Sequence, residues 1–101
     1  MQDYDIVIRN VGTKTITDAN VQYDDFRSLG GIVSPGYGKS HQNPNYPIPE
    51  KATIEWRTED GKLHQKEVEV KRHVPRNFRG DIQFEIDDNN EVKVKIVPDR
   101  Y

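Results

Sequence analysis

Residues 82–96 read I-Q-F-E-I-D-D-N-N-E-V-K-V-K-I, and the alternation in them decides the fold class. Ile82, Phe84 and Ile86 recur every second residue, and so do Val92, Val94 and Ile96. A period of two places side chains on one face of a strand. Between the two runs lies Asp88-Asn89-Asn90, a stretch of turn-forming residues. A three-residue loop pairs Ile86 with Val92, Phe84 with Val94 and Ile82 with Ile96 on the apolar face. On the other face it sets Glu85 against Lys93, a cross-strand charge pair worth about 0.2–1 kcal/mol. Both faces agree on one register, so the segment predicts a β-hairpin.

Working towards the N-terminus, Ala52, Ile54 and Trp56 alternate, Asp60-Gly61 turns, and Val68 and Val70 return. A two-residue loop would set Ile54 opposite Glu67. The three-residue loop Asp60-Gly61-Lys62 sets Ile54 opposite Val68 and Ala52 opposite Val70, which buries the right side chains. At the start of the chain, Tyr4, Ile6 and Ile8 form a strand and residues 10–15 a turn. Val21 and Tyr23 resume the alternation until Asp24-Asp25-Phe26 interrupts it. Trp56 belongs to the core on this reading, since it shares a face with Ile54.

Residues 28–49 differ in texture, with Gly30, Gly31, Gly36 and Gly38 followed by Pro35, Pro44, Pro47 and Pro49 among them. Proline removes backbone donors and glycine costs entropy when ordered. The segment therefore reads as one long loop, with a short strand at residues 31–34 as the element it allows. No stretch shows a sustained helical period. The expected architecture is a single all-β domain over residues 1–101: an immunoglobulin-like antiparallel β-sandwich of six or seven strands with a long Gly/Pro-rich loop.

Composition narrows the function classes. The 101 residues are 32% charged and 33% hydrophobic with a net charge of −2, a balance that suits one folded domain. A pI of about 5.9 gives no overall basic field to draw nucleic acid or anionic membrane. The chain has no cysteine, which excludes disulfides, thiolate chemistry and Cys-based zinc sites. No apolar run reaches the roughly 18 residues that span a bilayer, and Met1-Gln2-Asp3-Tyr4 lacks the character of a signal peptide. A cytoplasmic domain, or one separated from its leader, fits that beginning.

Each motif that suggests chemistry has a plainer reading. V-S-P-G-Y-G-K-S at 33–40 matches the phosphate-binding pattern G-x-x-x-x-G-K-[ST] at every fixed position but the first. That loop needs a helix after it, and His41-Gln42-Asn43-Pro44-Asn45-Tyr46-Pro47 cannot propagate one. Pro35-Gly36 predicts a type II turn instead. His41, His64 and His73 stand in no metal-ligand spacing, and residues 87–91 lack the glycine and spaced oxygens of a calcium loop. No serine occupies a G-x-S-x-G turn, and the paired carboxylates Asp24-Asp25 and Glu59-Asp60 sit in turns. No catalytic residue, cofactor or metal is expected. The basic group Lys71, Arg72, Arg76 and Arg79 is followed at once by Asp81, a pattern that suits the rim of a protein interface better than a nucleic-acid track.

Contact residues are sought among aromatics outside the core pattern. Tyr37 and Tyr46 lie in the Gly/Pro segment beside Lys39 and His41, and tyrosine in such a setting suits protein contact. Arg76, Phe78 and Arg79 make a second candidate patch.

The stretch I-V-I-R-N-V-G-T-K-T-I-T-D-A-N-V-Q-Y, residues 6–23, resembles a strand-turn-strand signature of immunoglobulin-like bacterial domains in which an Asn-x-Gly turn links two core strands. With G-G-I-V at 30–33, P-I-P-E at 47–50 and I-E-W-R-T-E-D-G-K at 54–62, the layout is similar to small lipoprotein domains of Gram-negative bacteria. Some of those accompany type VI secretion lipase toxins as immunity proteins. The resemblance implies a non-enzymatic, periplasmic binding domain that blocks a toxin, with Met1 standing where a leader and an acylated cysteine would have been. The alternative is a structural or assembly module that acts by edge-strand pairing or self-association.

Overall fold

The computed structural model describes residues 4–41 and 47–98, with residues 29 and 30 as backbone alone. Eight strands follow in chain order among them: β1 (Tyr4–Asn10), β2 (Ile16–Tyr23), β3 (Phe26–Val33), β4 (Gly38–His41), β5 (Lys51–Arg57), β6 (Leu63–Glu69), β7 (Gly80–Ile86) and β8 (Val92–Pro98). A single 3₁₀ turn, Lys71–His73, separates β6 from β7. The strands form two four-stranded sheets, ordered β4-β1-β7-β8 and β3-β2-β5-β6. The sheets face one another across one core, the all-β sandwich that alternation predicts. Trp56, Ile54, Val21, Ile8, Ile82 and Phe84 are fully buried between them.

The terminal hairpin has the expected register, with Ile86 opposite Val92, Phe84 opposite Val94, Ile82 opposite Ile96 and Glu85 opposite Lys93. Asn90 takes the left-handed conformation (φ 58°), and its N–H donates to the Asp87 carbonyl at 3.1 Å. The β5–β6 hairpin also uses a three-residue loop, one position earlier than expected. Thr58 closes against Lys62, so the loop is Glu59-Asp60-Gly61, Ala52 faces Val68 and Ile54 faces Lys66. In this turn the last loop residue is left-handed, and Gly61 (φ 83°) is the residue that fills the role without steric cost. The expected register would have placed Lys62 there.

Three further departures concern the first half of the chain. The sandwich is not wholly antiparallel, because β1 and β7 pair in parallel. Phe26 begins a strand instead of ending one: Asp24 adopts φ 51°, the turn needs only Asp24 and Asp25, and Tyr23 pairs with Phe26. Residues 28–41 are consequently ordered as most of β3, a turn and β4, and the strand expected near residues 31–34 is the end of β3. The β2 strand starts earlier than Val21 because a bulge at Asp18 (φ 51°) lets both Ile16 and Ala19 point inwards.

Candidate functional site

The Gly/Pro segment builds a corner where the chain crosses from one sheet to the other. Ser34-Pro35-Gly36-Tyr37 is the type II turn predicted: the Tyr37 N–H donates to the Ser34 carbonyl at 3.0 Å, and Gly36 at position three has φ 80°. Asn10 locks this turn to β1. Its N–H donates to the Tyr37 carbonyl (3.0 Å), and its carbonyl accepts the Gly36 N–H (2.8 Å). Its side-chain amide donates to the carbonyls of Val33 (3.0 Å) and Lys14 (2.7 Å) while accepting the Gly12 N–H (3.0 Å). Asn10 is only 2% exposed, so one buried amide fixes the end of β3, the turn and the β1–β2 loop together. Gly38 then brings β4 close to β1, since a Cβ there would lie 3.2 Å from the Ile8 carbonyl oxygen and 3.3 Å from Val7 Cγ1. The residues that imitate a phosphate loop are a turn and an edge strand.

The corner is open and holds two large apolar side chains among polar ones. Tyr37 is 71% exposed and Ile32 63%, values that set them apart in a protein whose other aromatics with a described side chain are mostly core. Between them lies a groove of about 210 Å³ lined by Ile32, Val33, Ser34, Tyr37, Gly38 and Lys39. Register places Lys39 opposite Ile8 and His41 opposite Ile6, so both stand on the core-facing side of the edge strand. A cation pointing inwards from an edge is a familiar guard against unwanted pairing. His41 closes the open side of the sandwich by meeting the Phe26 ring edge-on, with centroids 5.1 Å apart and planes at 73°. Of the expected contact residues, Tyr37, Lys39 and His41 therefore share one strand and its turn. Tyr46 lies outside the described residues.

The second expected patch is elsewhere. Gly80 pairs with Tyr4 at the start of β1, whereas Gly38 pairs with Arg9 near its end, which puts Arg76 and Arg79 a strand's length, roughly 17–20 Å, from Tyr37. Phe78 is only 3% exposed and belongs to the core, so it is not a contact residue. Arg76 and Arg79 are exposed. The neighbouring cations are paired: Lys71 with Glu50 at 3.6 Å and Arg72 with Glu69 at 2.5 Å.

A polar cleft of about 300 Å³ was not foreseen from the sequence. It opens where the β1–β2, β5–β6 and β7–β8 connections meet, and Lys14, Thr58, Asp60, His64, Asp88 and Asn90 are among its walls. Successive hairpins return their turns to one end of a sandwich, which is the signal that could have located it. Two of its carboxylates, Asp60 and Asp88, are already engaged. Asp60 accepts from the Thr58 hydroxyl (2.5 Å) and the Lys62 N–H (3.2 Å). Asp88 accepts from the Thr13 N–H (2.8 Å) and hydroxyl (2.7 Å). These bonds hold both acids below the ordinary carboxylate range, the opposite of what a general acid at neutral pH requires. His64 lies stacked on Trp56, with centroids 5.6 Å apart and planes at 17°, and accepts or donates at 3.2 Å with the Thr58 hydroxyl. Trp56 is fully buried as expected, and its Nε1–H reaches Asn90 Oδ1 at 3.4 Å. The three histidines lie apart, on β4, on β6 and on the 3₁₀ turn, and among the described residues no group of His, Asp and Glu is placed to share a metal ion. No helix among the described residues is long and apolar enough to cross a membrane.

Comparison with known proteins extends the fold and stops there. A protein from Eubacterium rectale, solved by NMR, aligns over 98% of this chain and 92% of its own with a TM-score of 0.65 and 14% sequence identity. At that identity the likeness concerns the sandwich alone. No family model and no curated protein matches the chain.

Proposed function

We propose that this chain is a non-enzymatic protein-binding domain that meets its partner at the β3–β4 corner. The observation that carries the reading is the pairing of Tyr37 and Ile32, both largely exposed, across one groove beside an edge strand. Exposed large apolar side chains gathered at one place mark contact sites, whereas scattered ones do not. Tyrosine adds a rigid amphipathic anchor, and Lys39 and His41 supply a polar rim. The engagement of Asp60 and Asp88 in the polar cleft by threonine hydroxyls supports a binding role over catalysis by these two acids. Arg76 and Arg79, at the other end of the molecule, are set aside as a separate surface.

The resemblance of the layout of residues 6–23, 30–33, 47–50 and 54–62 to small lipoprotein domains, some of which are immunity proteins, makes a secreted lipase-type toxin the first partner to try, with the periplasm as the compartment. The test uses the purified domain immobilised against an extract of its source cell, at low and high salt, in wild-type form and as the Ile32→Ser, Tyr37→Ala double variant. A stoichiometric partner held at high salt by the wild type and lost from the variant supports the corner. Equal capture by both removes it. If the captured protein has lipase activity that the domain suppresses, the inhibitory form of the proposal stands.

A further inference from the structure

The β4 edge has a backbone pattern that goes further than its side chains. In an antiparallel ladder, residues alternate between those that exchange both hydrogen bonds with the partner strand and those whose N–H and C=O point the other way. The Asn10 N–H bonds to the Tyr37 carbonyl, and with period two along the register Ile8↔Lys39 and Ile6↔His41 the same orientation applies to Lys39 and His41. Gly38 and Ser40 therefore direct their N–H and C=O groups away from β1. Among the described residues β4 has no strand on that side. It thus offers a short row of backbone donors and acceptors that begins at the Tyr37 groove.

We infer that β4 receives an extended segment of a partner protein as an added strand, with a carboxylate opposite Lys39 and an apolar side chain at the groove between Tyr37 and Ile32. This rests on the corner being the contact surface. Charge selects the occupant. A second copy that used all the outward groups of Gly38 and Ser40 in antiparallel pairing would set Lys39 directly opposite the other copy's Lys39, and like charges so placed repel. Lys39 makes no ion pair among the described residues, so an acidic residue on the incoming strand meets an available cation. In an antiparallel strand the residue two positions beyond that acid lies on the same face, opposite Tyr37. The groove of about 210 Å³ gives its side chain a place. The added backbone bonds supply affinity and the two side chains supply register, the division of labour found in strand addition generally.

The probe is a blocked pentapeptide, Thr-Glu-Thr-Val-Thr, titrated into the isotope-labelled domain and followed by amide NMR and hydrogen exchange. The expected result is slowed exchange at the Gly38 and Ser40 amides with shifts at Ile32 and Tyr37. Ser40→Pro removes an outward N–H without touching a bond to β1, and should abolish binding while the β1 and β7 amide shifts stay in place. Lys39→Glu should weaken this peptide about tenfold and favour its Lys-for-Glu counterpart, since it exchanges a cross-strand attraction for a repulsion. If the peptide perturbs Tyr37 while Gly38 and Ser40 exchange as before and Ser40→Pro binds equally, strand addition is overturned and the corner survives as a side-chain contact. Failure of the peptide to perturb either β4 or Tyr37 overturns the inference, leaving the corner itself to be judged by partner capture. Concentration-dependent dimerisation that protects the same two amides also overturns it, because the occupant is then a second copy.

Discussion

Two short stretches, Tyr37-Gly38-Lys39 and Arg76-Asn77-Phe78-Arg79, each set an aromatic beside cations in a region of turns, and the fold treats their aromatics in opposite ways. Tyr37 stands 71% exposed at the end of a type II turn, and Phe78 is buried at 3%. The difference comes from what each backbone is anchored to. Tyr37 is held by its own backbone groups, through Ser34 and Asn10, so its ring is not needed for the structure. Phe78 sits in the connection to β7 and fills the core with Val70 and the partly buried Val74 nearby in sequence, so its ring is part of what holds that connection down. Composition alone does not distinguish an exposed aromatic from an anchoring one.

The strongest way to break the comparison is to remove the two rings in turn. Phe78→Ala should cost about 3–5 kcal/mol, as truncation of a buried phenylalanine does, and should lower Tm by roughly 15 °C or more in a domain of this size. Thermal melting checks it; a melting temperature close to wild type would return Phe78 to the surface. Next in size is Asn10→Ala, which strips partners from the Val33 and Lys14 carbonyls and the Gly12 N–H. Unsatisfied buried groups cost about 1–3 kcal/mol each, so a loss of about 2–3 kcal/mol is expected in denaturant unfolding. Because Asn10 holds the end of β3 in place, this variant should also loosen the Tyr37 corner, giving faster amide exchange at residues 33–37.

Much of the sandwich was legible, and the boundary of legibility has a physical form. The β7–β8 hairpin could be registered because both of its faces carry information: hydrocarbon on one, Glu85 against Lys93 on the other. The β5–β6 hairpin has Lys66 and His64 on the core-facing side of an edge strand, so burial alone could not separate two registers that differ by one loop position. The left-handed site of the turn decides, and Gly61 marks it. Gly61→Ala, at φ 83°, should cost about 1–2 kcal/mol for a β-carbon in that conformation, and Asn90→Ala in the other hairpin less than that, because the native Asn is already a side-chain-bearing residue at φ 58°. Paired unfolding curves check the ranking. The β3–β4 region was illegible for the same kind of reason. A two-residue turn through Asp24 and a close approach allowed by Gly38 make strands from residues whose composition reads as loop. Of the candidate site, Tyr37, Lys39 and His41 were legible as unusual residues in an unusual segment; Ile32 was not, because an apolar residue in a strand reads as core until β3 is placed.

A smaller effect separates the two ends of the molecule in acid. The carboxylates of Asp60 and Asp88 are depressed by hydrogen bonds from Thr58 and Thr13 respectively, and Glu69 by Arg72. A depressed carboxylate contributes stability above its unfolded pKa and loses it as pH falls through the folded value. Stability should therefore decline as the pH drops below the ordinary carboxylate range and be fully lost from these groups only below their depressed values. Asp88→Asn should flatten that decline at the turn end, while Glu69→Gln flattens it at the opposite end. Urea midpoints across acidic pH report both, and an unchanged slope in Asp88→Asn would mean that the Thr13 clasp carries no linkage.

The least effect on stability, and the largest on binding, is expected at Tyr37. Its backbone bonds to Asn10 and Ser34 do not involve the ring, and the ring is mostly in water, so Tyr37→Ala should change unfolding free energy by no more than about 0.5 kcal/mol, the range of surface substitutions. If the corner is the contact surface, the same change should cost about 2 kcal/mol or more of partner affinity, as loss of a central tyrosine does at an interface. Calorimetry on the captured complex and thermal melting of the free domain give the two numbers independently. Their ratio is the informative quantity. A variant that binds normally and melts early would show Tyr37 to be an anchoring ring like Phe78, and the contrast between the two stretches would vanish. A variant that melts normally and binds poorly shows that the fold has left this aromatic outside for a partner to cover.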